Sequence, residues 1–192
     1  MKPKTVLVRT VCGIEELPDH GSRRVSHVLS ILDPDRPEPE SFSDYPAHRR
    51  TTLRFHDAIA PAPGIVLPER RDVEAILDFG RTLAAEGAAE AHILVHCHLG
   101  ISRSTAALAI LMADAEPDTP AAALIAQLHD EREKAWPNAR MIALADDLLG
   151  RQGTLSEAVR GLHAIQLRKR PHLETVMRDL GRSGEVEAAL RT

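Results

Sequence analysis

Cysteine is scarce: Cys12 and Cys97 are the only two in 192 residues, too few for the disulfide framework of a small secreted fold. Positive charge is not in excess either. The 24 lysines and arginines stand against 28 aspartates and glutamates, a net charge of −4, so no global field favours nucleic acid as a partner. No apolar run reaches membrane-spanning length and no signal-peptide pattern is present; no membrane partner and a cytoplasmic location are therefore expected. Repeats and low-complexity tracts are absent. Aromatic residues are few: one tryptophan, one tyrosine and three phenylalanines. These exclusions leave a chain suited to one globular domain over residues 1–192, long enough to bury a full core.

The most informative stretch is residues 93–104, Ile-Leu-Val-His-Cys-His-Leu-Gly-Ile-Ser-Arg-Ser. Residues 93–95 have the composition of a buried parallel strand, and the run after Arg103 is helix-forming and almost uncharged. The intervening loop therefore opens a helix. Its backbone N–H groups and the positive end of that helix suit a dianion. A thiol attacks only as the thiolate, the form that a helix N-terminus and a nearby cation favour, and Cys97 has both within reach. Arg103 closes the loop, and its planar guanidinium can grip two phosphoryl oxygens as a lysine cannot. Gly100 permits a tight turn with amides pointing inward. The Ser104 hydroxyl can donate to the Cys97 sulfur and help it leave.

His96-Cys97-His98-Leu99-Gly100-Ile101-Ser102-Arg103-Ser104 resembles the H-C-x-x-G-x-x-R-[ST] signature of cysteine-based protein tyrosine phosphatases. The mid-chain position and the segment Trp136-Pro137-Asn138 resemble the dual-specificity branch, and the chain looks like its compact bacterial members. The resemblance spans about residues 5–150. It implies an α/β fold, with a central mixed or parallel sheet of about four to five strands flanked by helices, and residues 151–192 as a C-terminal helical extension. It also implies phosphate monoester hydrolysis through a cysteinyl-phosphate intermediate, without a cofactor or a metal. Cys97, Arg103, Ser104 and an aspartate would be catalytic. His98, Leu99, Gly100, Ile101, Ser102 and Arg103 would bind phosphate, and His96 would orient the loop backbone.

The triplet His96-Cys97-His98 also invites a metal reading. A second pair of ligands at metal spacing is missing, and alternation along a strand points the two histidines away from the cysteine. Cys12 reads as an inert buried thiol, with a protective disulfide to Cys97 as the alternative.

In chain order, residues 5–11, 25–32 and 51–55 read as strands, and residues 13–17 as a turn or short helix before Pro18. Residues 33–45 carry three prolines among acidic residues and read as an exposed loop. Residues 58–64 read as a mobile loop near the site. Helices are expected over residues 68–86, leading through Gly87 into the central strand, then from 117–120 through Lys134, from Pro137-Asn138 through Leu149, over 154–167 and over 173–190. The basic triplet Arg168-Lys169-Arg170 reads as a solvated helix end.

Displacing an alcohol from phosphorus needs an acid for the leaving oxygen. The family places it on a loop upstream of the signature, which makes Asp57 the candidate, with Asp44 and Asp72 as alternatives. The loop lacks lysines, which disfavours an inositol headgroup, and the paucity of aromatics leaves no wall for a deep phosphotyrosine slot. A shallow dual-specificity pocket for a phosphorylated protein or a small phosphate ester is expected. The competing readings are a phosphate-binding module without turnover and a sulfur-transfer enzyme of the rhodanese type. Oligomeric state is not legible.

Overall fold

The computed structural model describes residues 6–86 and 90–192. Four strands, β1 (Val6–Cys12), β2 (His27–Leu32), β3 (Arg49–Arg54) and β4 (Glu90–His96), form one sheet of order β1-β4-β2-β3 in which every pairing is parallel. The sequence leaves a mixed sheet and a fifth strand open; the described residues hold four parallel strands. Parallel neighbours need crossovers, and the long one between β3 and β4 is helix α1 (Arg70–Glu86). Thr5 and Gly87, assigned from sequence to the first strand and to the turn before the last, lie outside the described residues.

The central strands are apolar on both faces because both faces are covered. Leu29, Ile31, Ile93 and Val95 pack into the main core, under α1, α2 (Arg103–Ala115), α3 (Ala121–Glu131), α4 (Ala139–Leu149) and α5 (Thr154–Lys169). Val28 and Leu94 face the other way, onto Leu17, Phe42 and Tyr45. Those three residues belong to two 3-10 turns, Ile14–His20 and Glu40–Asp44, or follow them directly. Helix α2 is buried from Arg103 to Ala113, which explains its lack of charge: a central helix has no solvated stripe. Each of its fully buried aliphatic side chains, such as Leu108 and Ile110, contributes about 1.5–3 kcal/mol.

Several boundaries differ from the sequence reading, each for a local reason. Pro18 sits inside the first 3-10 turn, and the proline-rich segment after β2 still forms the second. Helix α3 stops at Glu131, because Arg132 turns extended and sends its side chain to the loop after β4. The expected helix over 173–190 is two, α6 (Leu173–Asp179) and α7 (Ser183–Leu190), broken at Gly181 with φ of +74°. Glycine alone holds that left-handed conformation without strain.

The C-terminal helices join the rest through buried contacts. Leu155, Val159 and Leu162 of α5 belong to the main core. Met177, Val186 and Ala189 pack with Leu167 and Trp136 in a smaller cluster.

Candidate active site

Cys97 directly follows the central strand β4, packs into the main core under the helices and is 3 % exposed. The loop that follows is shaped by what its carbonyls do. His98 O accepts from Ile14 N at 3.0 Å, Leu99 O and Gly100 O from Arg132 at 3.1 and 3.0 Å, and Ile101 O from Trp136 N at 2.8 Å. Each carbonyl thus points away from the loop's interior, toward the surrounding chain. In a trans peptide the N–H of the next residue points the opposite way, so the amides of Leu99, Gly100, Ile101 and Ser102 face inward. Among the described residues none of these four N–H groups has a protein acceptor. With the N-terminal turn of α2 they make a cradle for an anion.

Gly100 is required twice over. Its φ is +67°, and a Cβ there would lie 2.4 Å from the Cys12 backbone. Arg132, the strap across the outside, is itself held by Glu16 at 3.0 and 2.8 Å.

Arg103 is 3 % exposed. Its Nη1 donates to Asp33 and to Phe55 O, both at 2.6 Å, while its buried Nε has no protein partner. One edge of the guanidinium is therefore fixed by the scaffold, and Nε remains for an anion in the loop. Ser104 Oγ lies 3.2 Å from Cys97 Sγ, within hydrogen-bonding reach.

His96 points to the opposite sheet face, where its Nε2 pairs with Ser30 Oγ at 2.6 Å and its ring packs 5.4 Å from Phe42. Burial pushes its imidazole down to about 4, against a smaller upward pull from the Cys97 backbone. It is therefore neutral at physiological pH and ties the end of β4 to β2. Cys12, beside it in register, is 1 % exposed, and burial with the neighbouring Glu16 pushes its thiol up to about 12. That suits an inert thiol.

Asp57 lies just beyond β3 and lines the same cavity as Cys97 and Arg103. Its Oδ1 accepts from Ser102 Oγ at 2.7 Å, Asn138 Nδ2 at 2.9 Å and Arg182 Nη1 at 3.1 Å. Neither alternative aspartate reaches the cavity: Asp44 is exposed on the second 3-10 turn, and Asp72 Oδ2 accepts from Glu69 N at the start of α1. Asn138 has two tasks. Its Oδ1 caps α4 by accepting from Arg140 N and Met141 N, and its amide is thereby aimed at Asp57.

Two charged residues of the site escaped the sequence reading. Asp33 falls in the segment that reads as an exposed loop, and it anchors Arg103 across 70 residues of chain. Arg182 lies in the α6–α7 junction, 125 residues from Asp57, and is 3 % exposed. It bonds Ser102 Oγ at 2.7 Å and pairs in bidentate fashion with Glu185 at 2.7 Å. Burial disfavours its charge, but Asp57 and Glu185 outweigh that and hold the guanidinium above its ordinary value. Glu185 in turn accepts from Trp136 Nε1 and Ala139 N at 2.7 and 2.8 Å. No local pattern announces such a residue; a lone arginine beside a glycine reads as solvated surface.

The pocket is larger than the shallow one expected. The C-terminal helices and residues 58–65 raise walls around Cys97, enclosing about 990 Å3. The ends of the 58–65 segment are tied, His56 N to Val66 O at 2.8 Å and Val66 N to His56 Nδ1 at 2.9 Å. Among the described residues no cluster of His, Cys, Asp or Glu could hold a metal ion, and no helix is long and apolar enough to cross a membrane.

No protein-family model and no curated protein matches the chain. Solved structures do. Human DUSP28 superposes with a TM-score of 0.55 at 14 % identity, over 75 % of this chain and 92 % of that one. DUSP15 gives 0.54 at 16 %, over 83 % and 93 %. Tk-PTP in its active form gives 0.51 at 18 %, over 76 % and 92 %. The fold is that of the dual-specificity and tyrosine phosphatases.

Proposed function

We propose that the chain hydrolyses phosphate monoesters through a cysteinyl-phosphate on Cys97, as a compact dual-specificity-type protein tyrosine phosphatase of the bacterial kind its sequence resembles. The observation that carries this reading is the cradle: four inward amides and the buried Nε of Arg103 gathered around a cysteine. Anion binding alone needs no nucleophile at its centre.

The thiolate of Cys97 attacks phosphorus, and the bond from phosphorus to the ester oxygen breaks. Arg103 and the loop amides of Leu99, Gly100, Ile101 and Ser102 hold the equatorial oxygens and stabilise their charge. Asp57 gives its proton to the departing alkoxide. Its Oδ1 is occupied by three donors, which leaves Oδ2 to carry that proton. Water then attacks the phosphocysteine, Asp57 takes a proton from it, and the phosphorus–sulfur bond breaks to return thiolate and inorganic phosphate. Ser104 donates to the sulfur as its charge returns. No step needs a metal.

An aryl phosphate assay tests this reading. Cys97→Ser should abolish turnover while retaining phosphate binding, and Arg103→Lys should lose at least about a hundredfold in kcat/KM, because a point charge cannot reproduce the fork. Vanadate should compete and chelators should have no effect. Turnover that survives Cys97→Ser, or that a chelator removes and a metal restores, would overturn it.

A further inference from the structure

We infer that the alcohol half of the substrate is an apolar chain: the cavity over Cys97 takes the phosphate monoester of an alkyl or alkylaryl alcohol. This rests on the hydrolase reading above and deepens it.

Exposed apolar surface gathers at this cavity. The described residues contain eight large hydrophobic side chains open to solvent, and four of them, Ile65, Leu99, Val176 and Leu180, line this one cavity. Leu99 is 62 % exposed and Leu180 is 65 % exposed. Scattered exposed leucines mean nothing, whereas a contiguous group around a cleft marks a binding surface.

The polar inventory points the same way. Apart from Arg103 Nε, which is left for the phosphoryl group, the polar groups at the base of the cavity are already engaged with one another or with the chain: Asp57, Ser102 and Arg182 mutually, and Gln166 with the carbonyls of Glu133 and Ala135. Arg170 is held by Glu133 and Gln166. Another part of the lining runs through Ile59, Ala60 and Pro61, which offer no polar side chain, and Pro61 has no N–H. A peptide backbone or a sugar would lose hydrogen bonds to water there with little in return; a hydrocarbon chain would lose none.

The size of the cavity fits as well. About 990 Å3 stands at the upper end of the roughly 300–1,000 Å3 typical of sites for drug-sized ligands. The phosphoryl group fills only the loop at the bottom. The remaining volume is continuous with it, so an organic group seated on the apolar wall stays attached to a phosphate at Cys97.

The test is the kcat/KM of the wild-type chain for 4-alkylphenyl phosphates from methyl to hexyl, kept below their critical micelle concentrations. Lengthening a para-alkyl group leaves the acidity of the phenol almost unchanged, so the trend reports contact with the wall. It should rise about fourfold for each methylene that is buried. Leu180→Asp and Val176→Asp, both at exposed positions whose fold circular dichroism can verify, should flatten the trend relative to the methyl compound in the same variant. A flat series in the wild type, a trend unaffected by both variants, a rise only above the micelle concentration, or a phosphopeptide preferred over the hexyl compound would each overturn the inference. Loss of Cys97-dependent turnover of the methyl compound would instead strike the hydrolase reading.

Discussion

Asp57 presents one carboxylate oxygen to three donors, so its orientation is fixed before any substrate arrives. As the proposed acid of the first step, it should matter in proportion to the need of the leaving group. Asp57→Asn should slow alkyl phosphates by about a hundredfold or more and an activated nitrophenyl phosphate far less, within the range of general acid catalysis. Equal losses across leaving groups, measured by kcat/KM, would reduce Asp57 to a structural residue. Gly100 makes a second sharp case. With φ of +67° and the Cys12 backbone 2.4 Å from a would-be Cβ, Gly100→Ala should cost roughly 2–5 kcal/mol in urea unfolding; a loss under about 1 kcal/mol would mean that the loop can move aside. Cys97, Gly100, Arg103 and Ser104 were legible in the sequence because one short loop carries all of them at a recognisable spacing. Asp33 and Arg182 were not, because each meets its partner only through the tertiary fold.

At the scale of elements, the α6–α7 junction closes the site. The helical pattern of residues 173–190 reported burial but not the partner, and the break at Gly181 was invisible because glycine is tolerated within a helical pattern at modest cost. The break matters, since it turns Arg182 inward. Arg182→Gln should misorient Asp57 and reproduce the leaving-group dependence of Asp57→Asn. It should also cost roughly 3–5 kcal/mol of stability, because Glu185, 3 % exposed, is left buried without its cation. Adding Glu185→Gln should recover much of the stability and none of the leaving-group dependence. If the double variant recovers activity together with stability, Arg182 is a structural residue only. Strands β1, β2 and β3, by contrast, were readable to within two residues at either end, whereas β4 begins at Glu90, three residues before the apolar run at 93–95 that announces it, because its first residues include polar side chains.

For the whole molecule, buried histidines contribute to the response to acid, His96 and His163 most strongly among them. Burial pushes His96 and His163 down to about 4; His163 is stacked 4.1 Å from Trp136. The unfolded chain takes up protons below about pH 6.5 that the folded chain refuses. Stability should therefore be full above that value and fall progressively toward pH 4, by on the order of 3 kcal/mol for each histidine. Denaturant titrations at about pH 7.5 and 5 measure this, and His163→Gln should remove on the order of 2 kcal/mol of the difference. A pH-independent midpoint in that window would contradict the burial of neutral imidazoles. The central claim is that a phosphoryl group passes through Cys97, and one measurement meets it directly. Rapid quenching of the Asp57→Asn variant during turnover of an aryl phosphate, followed by mass spectrometry of its peptides, should find a phosphoryl group on the peptide that carries Cys97 and none when Cys97→Ser is added. A phosphoryl group on any other residue, or turnover with none on Cys97 at any time, would contradict it.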